Sequence, residues 1–469
     1  MPQSVPAHRP DASTAQGDIR VGPARAIIAR LFGEPASREF AVRYWDGTEE
    51  RGPSAPTFTL VVRRPGALRR MLLPPSELAL VEAYLRDDMD IEGSLEAAST
   101  LGDLLASGIR ACGAAATVLS ALRTLPRDDV AAADSSVTRA PRWHLSARGA
   151  SRHSRDADAV AVRFHYDVSN DFYRLWLDER MQYSCAYFRT GRESLDDAQE
   201  AKLEHICRKL RLRPGQRLLD IGCGWGGLLL YASQHYGVTS VGITLSEAQA
   251  RVARERIAAA GLADRCRVDV RDYRDLSGLD RFDKVVSVGM REHVGRRNMP
   301  SYFRAAHDAL VPGGLFLDHG IVRWGAAEVR GLVAHAVRWF WRRDAFVRKY
   351  VFPGGELMTL AGLVGDAEVA GFEARDVENL REHYVLTLRH WVRRLEMRHD
   401  EAAAIVGERT YRVWRLYMAA TVLAFRGGRM TLCQTLYAKP TAAGASHLPL
   451  TRADLHGGSA GFPGTRVHA

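Results

Sequence analysis

Arg217-Leu-Leu-Asp-Ile-Gly-Cys-Gly-Trp-Gly-Gly227 is the stretch on which the fold turns. Leu218, Leu219, Asp220 and Ile221 read as a short buried strand, and Gly222, Gly224, Gly226 and Gly227 open a turn where a ligand can approach bare backbone. Leu228-Leu-Leu-Tyr-Ala-Ser-Gln-His235 follows as an amphipathic helix. Strand, glycine turn and helix make a nucleotide-type pocket. Gly222, Gly224 and Gly227 also satisfy the dinucleotide pattern, but a lone match of that kind is a weak signal, so the following strands must choose the ligand.

A dinucleotide site places an Asp or Glu on the ribose about 20 residues further on. Thr244 stands there instead. The second strand, Thr239-Ser-Val-Gly-Ile-Thr-Leu245, is followed by Ser246-Glu-Ala-Gln249, which offers hydroxyl and amide partners but no carboxylate before Glu247. A third strand over 266–272 ends in Asp272-Tyr273, an acceptor beside an aromatic face, suited to the amino group and ring of an adenine. Asp220 would repel a pyrophosphate yet can hold an ammonium or a ribose. Together these residues favour a cationic adenosyl compound such as S-adenosylmethionine over NAD.

With 469 residues, 46% hydrophobic and 26% charged, the chain has room for two or three globular domains. Cys112, Cys185, Cys207, Cys223, Cys266 and Cys433 include no close pair, so neither a disulfide framework nor a metal cluster is indicated, and a reducing cytoplasm fits. The longest apolar run, Ala111 to Leu122, is far short of the roughly 18 residues that cross a bilayer. Sixty-five Lys and Arg against 55 Asp and Glu give a formal charge of +10, which favours an anionic partner, nucleic acid or a phospholipid surface, or is only a solvated basic face. No zinc finger, paired aromatic motif or basic arm speaks for nucleic acid.

Residues 1–20 read as disordered, 21–125 as a small α+β domain, 126–157 as a linker, 158–440 as an α/β domain, and 441–469 as a disordered tail. Phe40-Ala-Val-Arg-Tyr-Trp45 and Phe58-Thr-Leu-Val-Val62 alternate as strands, and Ser76 to Leu85 reads as a helix. In the larger domain, strands at 217–223, 239–245, 266–272, 282–289 and 314–322 alternate with helices. This is a doubly wound sheet, whose ligands sit at the strands' carboxyl ends. A long insertion over about 323–370 precedes Glu373–Glu378, and the closing strand Met430–Ala438 is of the kind found in a class I methyltransferase sheet of seven strands.

Glu292 and His293 after the fourth strand, His319 in the fifth and Cys185 upstream are candidates by position. Singly, each also fits a structural role: a helix cap, a satisfied core histidine, a small buried hydrophobe. Gly331 to Arg343 alternates rings with Arg338, Arg342 and Arg343, a pattern for an interfacial helix on anionic lipid.

His165-Tyr-Asp-Val-Ser-Asn-Asp-Phe-Tyr173, Met181-Gln-Tyr-Ser-Cys-Ala-Tyr-Phe188, Leu219–Gly227, Gly242-Ile-Thr-Leu-Ser246 and Ser287-Val-Gly-Met-Arg-Glu-His-Val-Gly295 resemble, in order and spacing, the cyclopropane-fatty-acyl-phospholipid synthase family. The resemblance covers about residues 158–440, and residues 21–125 resemble the N-terminal lipid-binding domain that many such synthases carry. It implies methyl transfer from S-adenosylmethionine to the cis double bond of a phospholipid acyl chain, with ring closure to a cyclopropane. It implies contacts to the cofactor from Tyr183, Ser184, Asp220, Gly222, Gly224, Gly226, Thr244, Leu245, Gln249, Asp272 and Tyr273. It also implies a bicarbonate ion as base, held by Cys185, Glu292, His319, Tyr384 and the backbone of Ile321. A homodimer on the cytoplasmic face of a membrane is implied as well.

Two residues depart from the family. Arg291 stands where an aromatic or apolar residue is common, and either changes the field at Glu292 or points outward. Thr421 replaces a cysteine sometimes proposed as catalytic, a thiol that this mechanism does not require. A variant leaving a methylene or methyl branch, and a lipid-binding protein without catalysis, remain as alternatives.

Overall fold

The computed structural model describes residues 21–73, 76–98, 101, 115–126, 153–323 and 345–456. The expected disorder over 1–20, most of the linker, the interfacial helix over 331–343 and the tail from 457 lie outside the described residues. The chain divides into two compact units, Met1–Thr138 and Arg139–Ala469.

The first unit holds a four-stranded sheet in the order β2-β1-β3-β4, with β1 Ala41–Arg43, β2 Glu49–Glu50, β3 Phe58–Val62 and β4 Met89–Gly93. Strand β3 is buried at every position and runs parallel to β1 and antiparallel to β4. Its helices are α1 Gly22–Phe32, α2 Ala67–Leu72, α3 Glu77–Leu85, α4 Leu95–Ala98 and α5 Ala115–Thr124. Helix α3 starts at Ser76, whose hydroxyl accepts from the Ala79 amide.

The second unit is built on a seven-stranded sheet, β10-β11-β9-β8-β5-β6-β7. The strands are β5 Arg217–Ile221, β6 Thr239–Thr244, β7 Cys266–Val270, β8 Phe282–Val288, β9 Leu310–Arg323, β10 Glu373–Asn379 and β11 Met430–Ala438. All neighbours are parallel except β11, which runs antiparallel to both β9 and β10. Alternation explains how both faces are covered. Leu219, Ile221, Val285, Phe316 and Tyr437 belong to one apolar cluster, and Leu218, Val286, Leu315, Leu317 and Leu436 to another.

The helices are α6 Arg155–Tyr166, α7 Asn170–Trp176, α8 Leu195–Lys209, α9 Gly227–Tyr236, α10 Glu247–Ala259, α11 Met299–Ala309, α12 Ala345–Tyr350, α13 Leu360–Val369, α14 Arg381–Met397, α15 His399–Arg426 and α16 Ala453–His456. Ser154, Ser169, Ser194 and Ser246 cap α6, α7, α8 and α10 by accepting from a backbone amide three residues on.

Two expectations need correction. Helix α6 begins at Arg155, inside the expected linker. The chain stays ordered past Pro440, because Asp454 on α16 accepts from Arg211 at 2.7 Å and Arg452 pairs with Asp376 at 2.8 Å. A further helical excursion, the pair α14 and α15, lies between β10 and β11, beyond the expected insertion, of which residues 324–344 lie outside the described ones. Gly407, at φ 78°, breaks α15 into two helices.

Candidate active site

A cleft opens at the carboxyl ends of β5, β6 and β8. Of the residues expected to hold the cofactor, Tyr183, Ser184, Asp220, Gly222, Gly224, Thr244, Leu245, Gln249 and Tyr273 line it. Gly222 stands at φ +86°, and a Cβ there would come within 3.0 Å of the Met290 side chain. Only glycine therefore leaves the turn open. Asp220 is buried, with Oδ1 lacking a partner, and burial lifts its carboxyl to about 7 against the pull of Lys202. A buried carboxylate beside bare glycine backbone fits an adenosyl sulfonium ligand that brings an ammonium group and ribose hydroxyls.

Two expected residues are placed differently. Gly226 is not among the lining residues and serves as the N-cap of α9 in a left-handed conformation. Asp272 is also absent from the lining. Both its carboxylate oxygens accept from Arg274, at 2.7 and 2.6 Å. Burial opposes its charge, but the Arg274 guanidinium holds the carboxyl below its ordinary range. Arg274 also reaches Asp158 on α6 at 3.0 Å, so the Asp272–Arg274 pair ties α6 to the sheet, and Tyr273 lines the cleft with Arg271 and Arg274.

Deeper lies a second cluster. Strand β8 ends at Val288, in register with His319 on β9, and the 3₁₀ turn Arg291–His293 follows. Glu292 Oε1 accepts from the Ile321 amide at 2.6 Å, while Glu292 Oε2 is buried without a partner. His319 pairs through Nδ1 with the Gln434 side-chain nitrogen at 3.0 Å, across the β9–β11 ladder. With that amide donating, the imidazole proton sits on Nε2, which is buried and unpartnered. Burial, reinforced by Lys202 and Arg291, keeps His319 neutral by driving its pKa well down.

Cys185 and Tyr384 come together because α14 grips the loop before α8: Thr387 accepts from the Ala186 amide and His383 from the Phe188 amide, each at 3.0 Å. Tyr384 lies within electrostatic reach of both Cys185 and Glu292. The Cys185 thiol is pushed up by burial and stays protonated. The Ile321 amide is spent on Glu292, so Ile321 orients that carboxylate. Thr421 is buried and donates to the Tyr417 carbonyl at 2.7 Å.

Rings join the two halves. Tyr183 packs among His165, Tyr173, Trp176, Trp391 and Trp414 at centroid distances of 5.2–6.0 Å, and Trp391 meets Tyr384 at 5.9 Å. Tyr166 and His293, which also line the cleft, approach at 3.3 Å.

Lys202 was not among the expected residues. Fully buried on α8, it donates to Gln182 Oε1 at 2.7 Å and Ser184 Oγ at 2.9 Å, and burial lowers its pKa to about 8. A sequence signal exists: Leu195, Gln199, Lys202, Ile206 and Lys209 make one buried stripe at helical spacing, and three of its members, Gln199, Lys202 and Lys209, are polar where apolar side chains are usual.

The model of the family described as mycolic acid cyclopropane synthetase matches residues 153–435, more than half of the chain. The chain belongs to the mycolic acid cyclopropane synthetase family. It is thus a class I methyltransferase dependent on S-adenosylmethionine. A model for a domain of unknown function matches residues 27–101. A protein named probable fatty acid methyltransferase, from Pseudomonas putida, is 41% identical over 416 residues, covering 88% of this chain and 95% of that protein. The cyclopropane-fatty-acyl-phospholipid synthase of Escherichia coli K12 is 38% identical over 280 residues, covering 60% of this chain and 68% of that protein. Among solved structures, mycolic acid cyclopropane synthase CmaA1 complexed with SAH and CTAB aligns with a TM-score of 0.56 at 33% identity, covering 60% of this chain and 97% of that one.

Proposed function

We propose that this chain methylates the cis double bond of an unsaturated phospholipid acyl chain and closes the product to a cyclopropane. The observation that carries this reading is a buried, unpartnered acceptor, Glu292 Oε2, held through the Ile321 amide two residues along β9 from a buried, unpartnered donor, His319 Nε2. Hydrogen carbonate needs one of each. It carries a charged oxygen that accepts and a hydroxyl that donates, and when bound it would supply the base. Tyr384 OH and Cys185 Sγ would be further donors.

S-adenosylmethionine, when bound, supplies the methyl. Asp220 and the glycine turn orient it, and the rings around Tyr183 exclude water from an alkene that is a poor nucleophile. As the alkene takes the methyl carbon the C–S bond breaks, S-adenosylhomocysteine leaves, and the other alkene carbon becomes cationic. Aromatic faces stabilise that charge, by about 2 kcal/mol or more per desolvated ring. Loss of a proton from the new methyl then lets its C–H electron pair close the ring. Glu292 and His319 would hold the base that takes this proton.

A branched product is the second reading, favoured by the name of the Pseudomonas putida relative, a probable fatty acid methyltransferase. Residues 21–125 are read as a lipid-binding domain and the basic surface as a peripheral attachment to anionic membrane, and the homodimer rests on the family resemblance alone. Incubation with S-adenosylmethionine and liposomes of cis-monounsaturated phospholipid tests the proposal. It predicts acyl chains heavier by one methylene with cyclopropyl proton signals. Unchanged chains would overturn it, and heavier chains without those signals would establish the branching variant.

A further inference from the structure

Arg291 does not point outward. It is buried, donating through Nη1 to Asp318 and through Nη2 to the Gly320 carbonyl. Asp318 also accepts from Tyr302 at 3.3 Å. The arrangement is tight: a Cβ on Gly320 would lie 2.6 Å from Arg291 Nε and 3.1 Å from Glu292 Oε1. Arg291 and Glu292 thus straddle one glycine, which is flanked by His319 and Ile321. Against the penalty of burial, the carboxylates of Asp318 and Glu292 keep the guanidinium charged.

We propose that the Arg291–Asp318 pair is a positioning device for Glu292, clamping the 318–321 segment of β9 and setting the charge of the carboxylate that faces the anion. The inference rests on the reading of Glu292 as a holder of the proton-accepting anion. An ion pair in this position costs desolvation that an apolar pair of similar volume would not, so stability alone is a weak reason for it. The groups facing Glu292 are Asp318 on β9, Tyr166 on α6, Tyr384 on α14 and Tyr417 on α15. Arg291 is the cation among them: it lowers the Glu292 pKa, and Asp318 raises it by less.

The signs give the test. Arg291→Met removes the cation, so the acid limb of the kcat/KM profile moves to higher pH, by about one unit, a roughly tenfold loss of activity below the limb. Asp318→Asn leaves the cation uncompensated, and the limb moves to lower pH. The double variant Arg291→Met/Asp318→Leu replaces the pair with apolar side chains, leaves neither charge buried alone, and moves the limb upward while raising the bicarbonate concentration needed for half-activation. A role confined to folding would change protein yield and leave the limb in place. An unmoved limb in the folded variants overturns the inference. If the wild-type protein modifies no lipid, the function has failed, and the inference is read instead from the Glu292 carboxyl band in infrared titration, assigned by its loss in Glu292→Gln. That band must titrate at higher pH in the double variant, and an unchanged titration refutes the pair's role.

Discussion

Glu292→Gln separates the chemistry from the fold. Glutamine keeps the shape, and its carbonyl oxygen still accepts from the Ile321 amide now bonded at 2.6 Å. Only the second oxygen changes, from an unpartnered buried acceptor to an NH₂ donor. Facing the anion's hydroxyl, that donor loses a hydrogen bond to a charged group, worth about 1.5–3 kcal/mol, which corresponds to a roughly 10- to 150-fold fall in turnover. Stability moves the other way. Burial raises the Glu292 carboxyl above its ordinary value, so this group contributes stability at low pH and loses it as the pH rises through the folded-state value. Near neutrality and above, the amide variant therefore melts at the same temperature as the wild type or higher. The assay is acyl-chain mass gain on liposomes alongside thermal melting at several pH values. Wild-type turnover in Glu292→Gln, or loss of turnover accompanied by a lower melting temperature, would refute the reasoning.

Ligand affinity follows Asp220. Its carboxyl sits at about 7 and a cationic ligand requires the ionised form, so S-adenosylmethionine binds about tenfold more weakly at pH 6 than at pH 8, with proton uptake or release visible by calorimetry in two buffers. Lys202→Met removes the cation that holds Asp220 down, and shifts this dependence toward higher pH; binding independent of pH in both proteins would count against the assignment. Gly222→Ala forces a Cβ into Met290 at a positive φ, with about 1–2 kcal/mol of backbone strain, and shows as weaker cofactor binding in the same titration.

Most of the larger sheet was legible because its strands are apolar on both faces and punctuated by glycine and serine. Leu218 to Ile221 and Phe282 to Val288 read as strands buried between two layers. The cofactor cleft was legible for the same reason: Asp220, Gly222 and Thr244 lie at or just beyond strand ends. Most of what escaped depends on contacts distant in sequence. The inward turn of Arg291 is decided by Asp318, 27 residues away on β9, while the Asp272–Arg274 pair is local and turns on side-chain orientation, which spacing does not give. The α14–α15 pair was missed as an insertion, yet it brings Tyr384 to Cys185 and Glu292. Arg452 and Asp454, beyond Pro440, are held by ion pairs to Asp376 and Arg211, which composition does not reveal.

The most direct test of the central claim follows the proton lost after methyl transfer. Supplied with trideuteromethyl S-adenosylmethionine and cis-monounsaturated liposomes, with and without added bicarbonate, the protein should yield a cyclopropane retaining two of the three deuteriums, faster when bicarbonate is present. A product retaining all three, or a rate indifferent to bicarbonate after thorough carbon dioxide removal, would contradict the account.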